Sequence, residues 1–178
     1  SEIVAFNDLS GEADIYIGDI LIIPGGKVPE KLPPAPAQVP LASAYFIFPT
    51  QGKISQGSHW YNAVDIANNC GTPVFAAAAG TVLKIKLTGS ASRSAFGGLG
   101  NHIAILHPNG VITYYGHLSA SLVSPNEEIY QGQRIASIGG APGTPGAGLS
   151  TGCHVHFGVN GAKNPLADYV VGAKIKYK

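Results

Sequence analysis

Charge is scarce in this sequence: 12% of its 178 residues are charged, and the formal net charge is +1. A chain so lightly charged carries no broad basic field to hold nucleic acid or an acidic membrane surface. Methionine is absent and no leader-like stretch is present, which predicts a processed product or a fragment. Long apolar runs are missing too. The most apolar stretch, Val74 to Leu83, is broken by Gly80 and falls far short of the roughly 20 residues a membrane helix requires. Convincing helical periodicity is nowhere sustained, so a helical bundle is excluded. What the chain has in quantity is glycine, 24 residues, and proline, 13, beside an ordinary apolar fraction of 45%. That mixture excludes disorder and favours a turn-rich β protein, at a length suited to one well-packed domain with a short accessory segment.

The composition shifts along the chain. Lys27 to Val39 reads KVPEKLPPAPAQV, a proline-rich stretch that stays extended and semi-rigid. The expected organisation is a segment over 1–26, a linker over 27–43 and the main domain over 44–178. The first segment, with Asn7 and with Ile15 to Ile23 surrounding Gly18-Asp19 before Pro24-Gly25-Gly26, resembles the second half of a LysM module, a small glycan-binding unit. The plainer alternative is a strand that docks on the main domain. Beyond the linker, apolar residues alternate at period two over Thr81 to Lys86, His102 to His107 and Val111 to Tyr115, with Pro108-Asn109-Gly110 as the hairpin turn between the last two. Further short strands fit Arg134 to Ile138 and Val155 to Val159, so the domain is expected to be antiparallel β with very little helix.

Metal sites draw on His, Cys, Asp and Glu, and catalytic zinc sites take three protein ligands. Between Phe46 and Leu166 the carboxylates are Asp65, Glu127 and Glu128, and only Asp65 lies within an apolar strand, Ala63-Val64-Asp65-Ile66-Ala67. A carboxylate there is costly unless paired or bound to a metal. His154-Val155-His156 precedes Phe157 on a strand, so both imidazoles point to one face, roughly 7 Å apart along the backbone. An arbitrary H-x-H is more often a pair of ordinary packing histidines, and spacing alone does not separate the two readings. His59 stands six residues before Asp65, an extended separation of about 20 Å. For both to reach one ion the chain has to turn at Trp60-Tyr61-Asn62.

These residues sit within a longer series. Ser58-His59 to Asp65-Ile66-Ala67 is followed by Cys70-Gly71-Thr72-Pro73-Val74 and by Ala79-Gly80-Thr81-Val82. Gly100-Asn101, Ile105 and His107 to Gly110 come next, then Thr113-Tyr114-Tyr115-Gly116-His117-Leu118 and Gly132-Gln133. Ser150-Thr151-Gly152 and His154-Val155-His156-Phe157 complete the series. In that order they resemble the lysostaphin and LytM type of zinc endopeptidase, which cuts the peptide part of bacterial peptidoglycan. The resemblance implies an antiparallel β-sheet domain with an open catalytic groove. It also implies a zinc ion held by His59, Asp65 and His156, and a catalytic pair, His117 and His154, acting with a metal-activated water. The division of roles between His154 and His156 comes from the resemblance and not from the spacing.

One departure stands out. The family's first motif has His four residues before Asp and Gly two before it; here those places hold Tyr61 and Ala63. His59 is retained as the ligand, reaching back from a longer loop, because a tyrosine is a poor substitute for a neutral nitrogen donor. The tyrosine that some members place upstream of the first His has no match between Phe48 and Ser58. If the Asp65 and His156 strands oppose each other across the metal, Cys70 falls near register with Cys153, which predicts a disulfide beside the site and a location outside the cytoplasm: secreted, periplasmic or cell-wall associated. The Gly-, Ser- and Pro-rich stretches Ser90 to Leu99 and Ala141 to Thr151 are the expected groove walls. His102 and His107 are expected to be surface or packing residues, and Trp60, Tyr61, Tyr114 and Tyr115 are as readily packing residues as groove lining. A monomer acting on peptidoglycan is expected, with no nucleic-acid partner; the rival is a catalytically silent wall-binding or hydrolase-regulating homologue.

Overall fold

The computed structural model describes residues 45–176. The LysM-like segment and the expected linker, residues 1–26 and 27–43, lie outside the described residues. Eleven strands follow one another: β1 (Gly52–His59), β2 (Ala63–Ala67), β3 (Pro73–Phe75), β4 (Gly80–Lys86), β5 (His102–Leu106), β6 (Ile112–Gly116), β7 (Leu118–Ser121), β8 (Glu128–Ile129), β9 (Arg134–Ile138), β10 (His154–Asn160) and β11 (Lys174–Ile175). Helical structure among these elements is limited to 3-10 turns at Trp60–Asn62 and Ala95–Gly98. The strands form an eight-stranded sheet in the order β11-β1-β2-β10-β6-β5-β4-β8 and a three-stranded sheet in the order β3-β9-β7. Every pairing is antiparallel, as the alternating pattern predicted. Among the described residues no helix is long and apolar enough to cross a membrane.

The middle of the large sheet is the most deeply covered part of the fold. All of β10 except its two end residues is buried, as are four of the five residues of β2, a pattern that requires cover on both faces. Tyr115, Phe157, Ile54, Ile66, Ile103, Ile105 and Ile112 of the large sheet are fully buried, together with Leu118, Ile135 and Ile138 of the small one. The outermost strands, β8 and β11, are only two residues long, and short edges present little unpaired backbone to other chains.

The pairing of β2 with β10 sets Asp65 opposite His156 and Val155 opposite Ile66. This register carries the chain ends just beyond it to a disulfide between Cys70 and Cys153, with Cα atoms 5.1 Å apart, as expected. The expectation for His59 needs correction. It does not reach back from a long loop; it is the last residue of β1, paired with Ala63 across a three-residue 3-10 turn. Strand β1, GKISQGSH, buries only Ile54 fully within its span, and its glycines and short polar residues hide the alternation that would have announced it.

Candidate metal centre

Strand geometry brings the ionisable side chains to one place. His154 and His156 are two apart on β10 and share a face, and Asp65 faces His156 from the neighbouring β2. On the far side of β2, the ladder with β1 is irregular between Gln56 and His59, and this bulge re-aims the end of β1 toward the same point. His59 Nε2 lies 3.4 Å from Asp65 Oδ1, His156 Nδ1 lies 3.0 Å from the same oxygen, and the two nitrogens are 3.2 Å apart. His154 is placed differently: its Nε2 is 3.6 Å from the other carboxylate oxygen, Oδ2.

His117 arrives from a strained turn. It sits between β6 and β7 with φ 58°, in the left-handed region that non-glycine residues rarely occupy. Three backbone hydrogen bonds hold it there: its own N–H donates to the Leu99 carbonyl, Gly139 N–H donates to its carbonyl, and Leu118 N–H donates to the Asn101 carbonyl. Strain kept in place in this way is typical of functional positions. The ring lies 4.6 Å from that of His154, tilted against it, and 5.8 Å from that of His156, edge to face, between centroids. Both loops expected as groove walls touch it, Leu99 through backbone and Ala147 through the ring. Those loops meet backbone to backbone, and any side chain at Gly100 (φ +61°) would collide with the Gly146 carbonyl.

Hydrogen bonds to the outer ring nitrogens set which inner nitrogen keeps its lone pair. His59 Nδ1–H donates to the Gly57 carbonyl at 2.8 Å, and His117 Nδ1–H donates to the Ala147 carbonyl at 2.8 Å. His154 Nδ1–H donates to the Gly152 carbonyl at 2.8 Å, with Ser150 Oγ at 3.1 Å. Burial alone would raise the Asp65 carboxyl pKa; the hydrogen bond from His156 and the nearby His154, His156 and His59 rings outweigh it and hold the group below its usual value. His117 is shifted down to about 4, first by burial and then by His154 and His156, against the opposing pull of the Ala147 carbonyl and Asp65. It is therefore a neutral base at ordinary pH.

The donor set suits a divalent metal. His59, Asp65 and His156 form a group able to hold an ion, each offering one ligand atom. Their mutual separations of 3.0 to 3.4 Å match the edge of about 3.3 Å expected for a tetrahedron with zinc bonds near 2.0–2.1 Å. Two neutral nitrogens and one carboxylate oxygen are also the donor chemistry that zinc takes in catalytic sites. His156 Nε2 is buried without a hydrogen-bond partner, a cost of about 1–3 kcal/mol. The histidine is held there despite it, as befits a ring whose other nitrogen has work to do. Because His156 shares oxygen Oδ1 with His59 while His154 faces Oδ2, the geometry groups His156, and not His154, with the two other candidate ligands.

The model of peptidase family M23 matches residues 59–167, more than half of the chain. The chain belongs to this family. The matched span runs from the first of the clustered histidines to just beyond the last, and so contains the whole site of this M23 domain. Among curated relatives, the Vibrio cholerae peptidoglycan DD-endopeptidase ShyC is 37% identical over 122 residues, covering 67% of this chain and 24% of its own length. The Escherichia coli murein hydrolase activator NlpD is 33% identical over 126 residues, 67% of this chain and 30% of its own. A crystal structure of a putative M23 peptidase from Pseudomonas aeruginosa superposes with a TM-score of 0.54 at 26% identity, over 68% of this chain and 48% of that one. The chain thus spans only 20 to 43% of the length of the first curated relatives it matches.

Other histidines stay apart. His102 and His107 are buried packing residues, the first against Phe96 and the second against Phe46. Several supporting residues have roles that the sequence did not reveal. Ser150, buried, braces His154; the Ala147 carbonyl orients His117; Asn62 and Asn164 anchor the turn behind His59. Asn62 was read only as a turn former, and its φ of 47° bears that out, while its long-range bonds could not be seen from spacing.

Proposed function

We propose that this M23 domain is a zinc-dependent endopeptidase that hydrolyses peptide cross-links of bacterial peptidoglycan. The observation that carries the proposal is the convergence of His59 Nε2, Asp65 Oδ1 and His156 Nδ1 within 3.4 Å of one another, with the His117 and His154 rings packed alongside. Zinc held by those three residues supplies a Lewis acid that polarises a carbonyl and lowers the pKa of water toward neutrality. No H-E-x-x-H glutamate is present, so the proton traffic falls to histidine. His117 Nε2, its lone pair freed by the bond from Nδ1 to Ala147, accepts the proton of the attacking water. His154, whose Nε2 lies 3.6 Å from Asp65 Oδ2, stabilises the developing oxyanion by hydrogen bonding. The new carbon–oxygen bond forms, the peptide carbon–nitrogen bond breaks, and the proton passes to the leaving amine.

The likeness to the DD-endopeptidase ShyC supports peptidoglycan as substrate, and lipoproteins among the relatives support a location in the cell envelope. On this reading residues 1–26 form a partial LysM-like or docking segment and 27–43 a linker before the peptidase domain, and the chain works as a monomer. A second reading is a catalytically silent hydrolase regulator, favoured by the likeness to the activator NlpD; the presence of all five side chains weighs against it. Zinc-loaded protein incubated with purified peptidoglycan decides between them. Internal cleavage products that vanish with a chelator and return with zinc are expected, whereas bound zinc without any cleavage favours the regulator.

A further inference from the structure

We infer that Trp60 is a specificity platform for this site, one that receives a methyl-bearing residue of the substrate and so selects alanine-containing cross-links over glycine bridges. The inference deepens the peptidase reading and rests on it. Trp60, the chain's single tryptophan, occupies the turn created by the two extra residues between His59 and Asp65. Its ring centroid lies 6.1 Å from that of His59 and 6.0 Å from that of His156, so the rings of Trp60, His59, His156, His117 and His154 make one continuous series. A substrate whose scissile bond lies at the ligand trio, within reach of His117, therefore extends at its other end toward the indole.

The indole remains 52% exposed, which leaves on the order of 100 Å² available for contact. An exposed aromatic is ordinary on a protein surface; this one is distinguished by its place beside two candidate ligands and by the rigidity of its support. Asn62 Nδ2 donates to the Val159 and Ala162 carbonyls at 2.9 and 2.8 Å, and Asn164 Nδ2 donates to the Asn62 and Phe157 carbonyls at 2.8 Å each. Asn164 is itself buried. The turn is thus fixed before substrate arrives, and a preformed apolar face binds without an ordering cost. Glycine offers that face no side chain, while each methyl group covered is worth about a four-fold gain in binding.

Trp60 provides its own reporter. Its fluorescence emission is to be followed while the zinc-loaded protein is titrated with an alanine-containing cross-linked stem peptide and, separately, with pentaglycine. Saturable change with the first at concentrations where the second does nothing is expected. In hydrolysis of the alanine peptide, Trp60→Ala is expected to raise KM about ten-fold with a smaller fall in kcat and unchanged zinc content, and Trp60→Phe to restore most of the loss. An unchanged KM in Trp60→Ala, or equal emission changes with both peptides, overturns the inference. A loaded wild-type protein that cuts neither peptide sinks the peptidase reading instead, and the platform is then decided by the emission titration alone.

Discussion

Two buried polar clusters lie within this sheet, one around a single histidine and one around several, and they are built on opposite rules. Around His107 the polar groups close on one another: Nδ1–H donates to the Ala79 carbonyl at 2.8 Å, Thr113 Oγ1 lies 2.9 Å from Nε2 and 3.0 Å from the Tyr115 hydroxyl, and the Tyr115 oxygen accepts from Ala77 N–H. Phe46 and Tyr45 cap the ring edge-on. Around Asp65, outward-facing nitrogens are tied to backbone carbonyls while inward-facing ones converge, and His156 Nε2 is left without a partner. A satisfied buried network rigidifies a core; a convergent set of lone pairs costs stability unless something else binds there. Histidine content alone therefore says little, and the direction in which each ring's lone pair points says much.

The largest expected effect separates the clusters by chemistry. His117→Ala is expected to retain zinc and lower hydrolysis by about 10²- to 10⁴-fold, whereas His107→Ala leaves the zinc content unchanged; metal analysis and turnover on peptidoglycan check both. Full turnover in His117→Ala would falsify its catalytic role. Next is the bond joining the ends of β2 and β10. Removing the Cys70–Cys153 disulfide, which closes a loop of 83 residues in sequence separation, is expected to cost about 2–5 kcal/mol, read as a lower denaturation midpoint. A chain whose mass does not rise by about two daltons on reduction contradicts the bond. Smaller still is the cost of opening the closed cluster: His107→Ala is expected to lose about 1–3 kcal/mol by leaving the Ala79 carbonyl without its imidazole donor and removing one of the two partners of Thr113.

The mildest lever is pH. Burial is the main cause that lowers the pKa of His102, His107 and His117. Below about pH 6.5, the unperturbed histidine value, the unfolded chain takes up protons that the folded chain refuses, so stability present above that pH is lost progressively as pH falls toward the lowered values. Burial pushes the Tyr115 hydroxyl up to about 12. In that case the unfolded chain loses its proton first, and stability falls as pH rises beyond about 10. A melting temperature that is flat from pH 7 to 5 in the metal-free protein contradicts this assignment.

The sequence carried much of this, and its failures share a cause. The alternation that opens β4 and the near-continuous apolar β2 and β10 were legible because each covered face imposes its own period. The opposition of Asp65 and His156 then placed the disulfide, since register fixes every neighbour along a ladder. Strand β1 was not legible, because GKISQGSH carries one buried apolar residue on an irregular ladder. For the same reason His59 was expected on a loop. The five site residues were named by motif, but what orients them was not: the carbonyls of Gly57, Ala147 and Gly152 act through backbone that leaves no residue pattern, and the Ser150 hydroxyl was seen in a motif without its contact to His154.

The most direct test of the account is zinc stoichiometry measured together with peptidoglycan hydrolysis for the wild-type protein and for His156→Ala. One zinc per chain with released peptides, both lost in the variant while the fold persists, is the predicted result. Unchanged zinc and cleavage in His156→Ala, or a wild-type protein that binds no zinc, would contradict it.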